Sequence, residues 1–421
     1  MLQRFIRDNK DADVAQLALQ RNRYPMLSDS DFRFCLQQID GRQRTKDKLP
    51  LFATIEGWLY PPRLNLEQCS SERTARFKAE LLKQLFSLSA SGLSTMLIDA
   101  TGGYGVDTFF MSAVAGETHY FEQNADLAAI AEHNFALAGK NIVCHAEPFE
   151  LSNSKTLELL STFNSQLSTL LYIDPARRDS HGGKVFRLED CTPDVTQIVH
   201  SMRQNCPDVR VLLKLSPMLD FHQAIAQLGG CWDVYVVSVA GEVKELLLLS
   251  GGTNTVHAVS LDDAGEHIFT FTPDEESQAQ VQYVSQPQPL LFQRSDLCSF
   301  SAAVYLYEPN VALLKAGAFR LLSSRYGLIK AAANTHLYLA DNSQVFQQIP
   351  LRGRSWQVLG VYTRVKDVQR ALARANIIVR NYVLSADALR KQLRLKDGGD
   401  DYIIGCRIGD KPLLLHCRRI Q

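Results

Sequence analysis

A Rossmann-like α/β fold with a mostly parallel sheet is predicted by three observations. Apolar runs of strand length end in an acid or a glycine-rich turn, helix-forming stretches separate them, and the last two runs lie too close together for a parallel crossover. At 421 residues the chain is too long for one ordinary domain. Four segments are expected: a helical region over 1–90, the α/β domain over 91–252, an α+β module over 253–345 and a basic domain over 346–421. Hydrophobic residues make up 46% of the chain, enough for a sizeable core.

In the N-terminal region Val14, Leu17 and Ala18, then Phe32, Leu36 and Ile39, recur at helical spacing, with breaks at Pro25 and Pro61-Pro62. Its last helix, over 70–86, opens with Ser70-Ser71-Glu72, an N-cap pattern. Because this helix feeds the first strand, Gln68 and Ser71 either reach a cofactor crevice or serve only as caps.

The first strand, Leu97-Ile98-Asp99, runs into Thr101-Gly102-Gly103-Tyr104-Gly105 and a helix beginning near Asp107. Glycines let the backbone pass close to a ligand, so a nucleotide-like cofactor is expected at this turn. A dinucleotide fingerprint needs a third glycine where Thr108 stands, which weakens an NAD reading. An S-adenosylmethionine site needs an acid at the end of the first strand instead, and Asp99 supplies it. In that reading Asp99 and the turn, Thr101, Gly102, Gly103, Gly105 and Asp107, hold the methionine part. Glu122, with Gln123 beside it, ends the strand His119-Tyr120-Phe121 and takes the ribose hydroxyls. After the third run, Asn141 to His145, either Glu147 or the backbone reads the adenine amino group.

The strand Leu170 to Ile173 stops at Asp174-Pro175-Ala176-Arg177-Arg178. Carboxyl ends of strands in an open α/β sheet face the ligand crevice, which makes Asp174, with Pro175 and Arg177, the candidate catalytic group. Enzymes methylating exocyclic amines often carry Asp-Pro-Pro-Tyr here. Ala176 and Arg177 replace the second proline and the stacking aromatic. Arg178, Lys184 and Arg187 crowd the next loop, where they clamp a substrate phosphate or neutralise Asp179, Glu189 and Asp190. Val209 to Leu215 forms another buried strand, ending at Lys214-Leu215-Ser216-Pro217. Val234 to Val239 and Val243 to Leu249, joined at Ala240-Gly241-Glu242, must then be an antiparallel hairpin.

Together with Gln68-Cys-Ser-Ser-Glu-Arg-Thr-Ala and Tyr307-Glu-Pro-Asn, these motifs resemble those of class I S-adenosylmethionine-dependent methyltransferases with a C-terminal THUMP-like domain, a bacterial group. The resemblance covers nearly the whole chain. It implies a sheet finished by an antiparallel hairpin, ferredoxin-like and THUMP-like C-terminal domains, S-adenosylmethionine as cofactor and RNA as substrate. The aromatic residues of Tyr305-Leu-Tyr-Glu-Pro-Asn are read as core.

Acids crowd 262–276 and prolines 285–289, which reads as a boundary region before a helix over 310–322. From Leu351 to Gln421 the chain has fifteen Lys or Arg against six Asp and no Glu, a balance of +9 concealed by 45 charges of each sign overall. Such asymmetry is the footprint of a polyanion partner. Arg364, Lys366, Arg370 and Arg374 are expected along one helix, with Val365, Val368 and Leu372 facing a core, and Arg390, Lys391, Arg394 and Lys396 along a second. Lys214, Arg364, Arg370, Arg374, Arg390 and Arg394 join Arg178, Lys184 and Arg187 as candidate substrate-binding residues.

The nine cysteines are scattered without Cys-x-x-Cys spacing, so a reducing cytoplasm and no metal site are expected. The charged N-terminus argues against a signal peptide, and no apolar run approaches a membrane span. The expected activity is methylation of a base or ribose in tRNA or rRNA. A small-molecule methyltransferase and a cofactor-binding RNA-binding protein without turnover are the alternatives.

Overall fold

Strands covered on both faces carry continuous apolar runs rather than alternating ones. Met96, Leu97 and Ile98 of β1 (Ser94–Asp99) and Leu171 to Ile173 of β4 (Leu167–Ile173) are accordingly buried without a break. The computed structural model describes residues 1–87, 94–153, 167–177, 191–284 and 304–420, with Thr156, Leu159 and Leu188. The loop carrying Arg178, Lys184 and Arg187 and the prolines at 285–289 lie outside the described residues. The chain forms two compact units, Met1–Trp232 with Leu247–Gly251, and Asp233–Leu246 with Gly252–Gln421.

In the first unit six α-helices precede the sheet among the described residues: α1 (Leu2–Asp8), α2 (Val14–Leu19), α3 (Asp29–Thr45), α4 (Pro50–Thr54), α5 (Arg63–Gln68) and α6 (Glu72–Ser87). The sheet adds β2 (Glu117–Phe121), β3 (Val143–His145), β7 (Arg210–Leu215) and the end of β9 (Glu242–Ser250), in the order β3-β2-β1-β4-β7-β9. The pairings from β3 through β7 are parallel. Helices α7 (Val106–Met111), α8 (Ala125–Leu137), α9 (Val195–Asn205) and α10 (Phe221–Leu228) lie between strands, and β5 (Ala176–Arg177) pairs with β6 (Cys191–Thr192) in a separate ladder. The chain builds outward from β1 to β3, then returns to β4 on the other side of β1. This reversal opens a crevice between the carboxyl ends of β1 and β4.

The second unit begins with β8 (Trp232–Val239) and β9, joined by Ala240 and Gly241 at φ 51° and 78°. Two consecutive left-handed residues give the turn twist that suits an antiparallel hairpin. Strand β10 (Val256–Asp262) runs parallel to β8 and antiparallel to β11 (Gly265–Phe271). The acid-rich stretch read as a boundary is therefore ordered. Asp262 turns into β11, and a capping box between Thr272 and Glu275 starts α11 (Pro273–Gln278).

An eight-stranded sheet completes this unit, in the order β12 (Gln282–Tyr283), β14 (Ile329–Ala332), β15 (Thr335–Ala340), β13 (Val304–Glu308), β16 (Arg354–Tyr362), β19 (Lys411–Arg419), β18 (Asp401–Ile408), β17 (Asn376–Arg380). The expected segments 253–345 and 346–421 share this sheet, since β13 pairs antiparallel with both β15 and β16. The single helix expected over 310–322 is two, α12 (Val311–Ala316) and α13 (Leu321–Tyr326), because Gly317 at φ 83° ends the first in a left-handed cap. Helices α14 (Val365–Ala371) and α15 (Ala386–Leu393) cover a core of Val368, Leu389, Leu393 and Ile403. Both end earlier than the charge spacing suggested, so Arg374, Arg394 and Lys396 lie beyond them, and Arg374 and Lys396 meet in an isolated parallel bridge.

Candidate active site

Space and backbone angle together explain the glycines. A Cβ at Gly102 would fall 1.9 Å from the ring of buried Tyr120, while Gly103 and Gly105 adopt φ 56° and 79°. The Gly102 N–H donates to the carbonyl of Phe121 at 2.8 Å, and the Tyr120 hydroxyl donates back to the Gly103 carbonyl at 2.5 Å. One Glu122 carboxylate oxygen accepts the Gly103 N–H and the other the Asn124 N–H, each at 2.8 Å. The turn is thus moulded onto the end of β2.

Asp99 is 1% exposed. One of its oxygens accepts the Thr101 N–H at 3.0 Å and the other accepts the Thr108 hydroxyl. The carboxylate braces the turn from beneath. Burial pushes its pKa up to about 7 against the opposing hydrogen bonds. Thr101 carries the link onward, its Oγ1 accepting the backbone N–H of Asp174 at 2.6 Å.

At the carboxyl ends of β4 and β7, Lys214 Nζ lies 2.5 Å from Asp174 Oδ2, 3.0 Å from Ser70 Oγ and 3.4 Å from Asp107 Oδ2. Asp107 is buried and also accepts from the hydroxyls of Ser70 at 2.7 Å and Tyr172 at 2.6 Å. Its other oxygen lies 3.2 Å from Nζ of Lys78, a lysine with no exposed surface. Burial alone would raise the Asp107 carboxyl, but Lys78 and Lys214, with the two hydroxyls, hold it well below the usual carboxylate range. The result is an alternating chain of charges, Lys78, Asp107, Lys214, Asp174, that leads from the core to the crevice.

Lys78, Ser70 and Tyr172 were not among the expected site residues. Lys78 stands on the buried face of α6 with Thr74, Ala75, Leu81 and Leu82, and a lysine in that stripe was the available signal. Ser70 enters the network, whereas Ser71 accepts the Thr74 N–H and caps α6, and Gln68 ends exposed on α5. Gln123 is exposed beyond Glu122, and Glu147 is half-buried two residues past β3. Pro175 is half-buried next to Asp174, and the backbone of Arg177 pairs with Cys191. A cavity of about 450 Å³ lined by Val199, Met202, Arg203, Cys206 and Val209 opens beside the start of β7, at the opposite end of the strands from Asp174.

In the second unit Arg364 pairs with Asp367 at 2.8 Å, which also lies 3.9 Å from Arg370, and Arg390 pairs with Asp387 and Asp397 at 2.9 and 3.0 Å. Lys366, Arg374, Lys391, Arg394 and Lys396 are exposed, with no carboxylate partner among the described residues. Glu308, the acid of Tyr307-Glu-Pro-Asn, is buried between Arg354 at 2.6 Å and Arg380.

A ferredoxin-like domain profile matches residues 305–346, and a THUMP domain-like profile matches residues 353–419. An uncharacterized S-adenosylmethionine-dependent methyltransferase of Mycobacterium tuberculosis H37Rv is 25% identical over 365 residues, covering 84% of this chain and 86% of its own length. The chain is similar to S-adenosylmethionine-dependent methyltransferases and ends in a THUMP-like domain. The likeness extends to a crystal structure of a candidate methyltransferase from Porphyromonas gingivalis W83, with a TM-score of 0.80 and 28% identity over 100% of this chain and 98% of that one. The class I sheet, the ferredoxin-like module and the THUMP-like module read from the sequence are therefore this chain's architecture. Among the described residues no helix is long and apolar enough to cross a membrane.

Proposed function

We propose that this protein is an S-adenosylmethionine-dependent methyltransferase acting on RNA. The observation that carries the catalytic part is the joining of the two strand ends: the Asp174 backbone is bonded to Thr101 in the glycine turn, and its carboxylate is fixed by Lys214. The turn suits the cofactor. Beyond the position of a Cβ at Gly103 only the Thr101 carbonyl lies within 4 Å, so the backbone there is open to a ligand. Each Glu122 oxygen accepts one backbone N–H, which leaves acceptor capacity for two ribose hydroxyls.

In this reading Gly102, Gly103 and Gly105 shape the cradle, Asp99 braces it, and Glu122 holds the ribose, with Gln123 and Glu147 at the adenine end. The bound cofactor supplies an electrophilic methyl group. The protein then has to place a nucleophile in line with that methyl and accept the proton released, and Asp174 is the group positioned for both. Support for RNA comes from the +9 balance of residues 351–421 and the exposed cations around Arg374 and Lys396.

The direct test is mass spectrometry of nucleosides from cells lacking the protein, with calorimetry of S-adenosylmethionine binding. A missing methylated nucleoside is expected. Cofactor binding with an unchanged nucleoside profile, and no methyl transfer to RNA, would point to a small-molecule substrate or to loss of turnover.

A further inference from the structure

We infer that the atom methylated is a hydroxyl oxygen, which on RNA means the ribose 2′-hydroxyl; this rests on the RNA methyltransferase reading and narrows it. The carrying observation is the ammonium of Lys214 at the Asp174 tip, 2.5 Å from Oδ2 of that carboxylate and only slightly exposed.

Charge separates the two classes of nucleophile. An amino nitrogen that attacks a methyl becomes positive as the N–C bond forms. A neighbouring ammonium opposes that charge. A hydroxyl oxygen instead becomes more negative as its proton leaves, and the same ammonium stabilises it. Lys214 thus favours oxygen over nitrogen.

The Asp174 carboxylate is in place to take that proton. Its Oδ2 lies against Lys214, and Oδ1 has no protein partner among the described residues. That oxygen is therefore available to the hydrogen of the nucleophile. The three residues directly after Asp174 give a base no ring to stack on, since Pro175, Ala176 and Arg177 carry none and the last two form β5. A ribose needs none.

The step balances as follows. The hydroxyl oxygen forms a bond to the methyl carbon while the carbon–sulfur bond breaks, and that electron pair stays on sulfur as a neutral thioether. The hydroxyl proton passes to Oδ1 of Asp174. Lys214 stays protonated throughout, stabilising the oxygen and holding the carboxylate in place. Asp107 and Lys78 are positioning residues behind it.

The test uses full-length protein, S-adenosylmethionine tritiated in the methyl group, and total RNA from cells lacking the gene. A 2′-O-methyl group blocks alkaline cleavage of the adjacent phosphodiester, so label is expected in alkali-stable dinucleotides. Label released in mononucleotides overturns the oxygen assignment and leaves the RNA methyltransferase reading standing; no label in RNA overturns both. Calorimetry adds a readout independent of turnover. Removing a cation beside the cationic cofactor should leave Lys214→Met binding S-adenosylmethionine at least as tightly as the wild type, while transfer falls at least a hundredfold. Lys214→Arg, which keeps the charge, should recover at least a tenth of the lost rate. Transfer by Lys214→Met within threefold of wild type overturns the role of Lys214, and if that variant does not fold, Lys214→Arg and the dinucleotide assay decide.

Discussion

The backbone N–H of Asp174 donates to Oγ1 of Thr101 at 2.6 Å, fastening the end of the fourth strand to the turn after the first. Neighbouring strands fix their mutual register through the ladder, but loops beyond the ladder need bonds of their own. Thr101→Val keeps the shape and removes the acceptor, leaving a half-buried N–H unpaired at a cost of about 1–3 kcal/mol. S-adenosylmethionine affinity should change less than threefold while kcat falls ten- to a hundredfold, as steady-state kinetics with calorimetry would show. Equal losses in both would mean that the bond serves only the cofactor cradle.

Asp107 lies against two lysines, and Asp107→Asn removes the carboxylate charge beside buried Lys78 while Lys214 keeps Asp174. A loss of about 3–5 kcal/mol is expected from the urea midpoint. The folded-state carboxyl lies below its unfolded value, so its contribution is present at neutral pH and is lost as pH falls through the depressed folded value. Acid unfolding should therefore begin at higher pH for a variant that weakens the ion pairs, such as Lys78→Met.

Asp99 behaves oppositely. Burial raises its pKa to about 7, so its stabilising contribution is complete below the ordinary carboxylate range and is lost as pH rises through 7. The difference amounts to about 4 kcal/mol. Asp99→Asn should be more stable than wild type at pH 8 and nearly equal at pH 4, measured by chemical denaturation. A cationic ligand favours the ionised form, so wild-type S-adenosylmethionine affinity should rise between pH 6 and 8 and lose that slope in Asp99→Asn.

On the THUMP-like module the arginines differ in availability. Lys366, Arg374, Lys391, Arg394 and Lys396 have no carboxylate partner among the described residues, whereas Arg364 and Arg390 are paired with aspartates. Replacing Arg374, Arg394 and Lys396 by Glu should weaken RNA binding at least tenfold and reduce the slope of log affinity against log salt by about 3. Arg364→Gln should change affinity less than threefold. Filter binding across a salt series reads both. Deleting residues 351–421 is a poorer test, because it strips β16 to β19 from a sheet shared with β13.

Much of the candidate site's geometry was legible because its determinants are local. The glycine turn, Glu122 and the acid after β4 are set by residues next to one another in sequence, and strand ends dictate where they point. Lys78 was not legible in the same way, since its partner Asp107 arrives from the far side of the turn and a helical lysine normally faces water. Ser70 and Ser71 differ by one step of helix phase, which spacing cannot fix at a helix start. In the second unit, Gly317 divided an apparently continuous helix and Asp262 proved to turn a hairpin, because backbone geometry at one residue overrode composition over fifteen. Helix ends likewise separated Arg374 and Arg394 from the charge rows to which they seemed to belong.

The position of β13 between β15 and β16 has a consequence for how such a protein is inherited. A genetic cut between the ferredoxin-like and THUMP-like modules would leave two raw sheet edges, each a template for aggregation. Neither module can be shuffled alone into another enzyme without a replacement strand, so the pair should travel through evolution as a single transferable cassette.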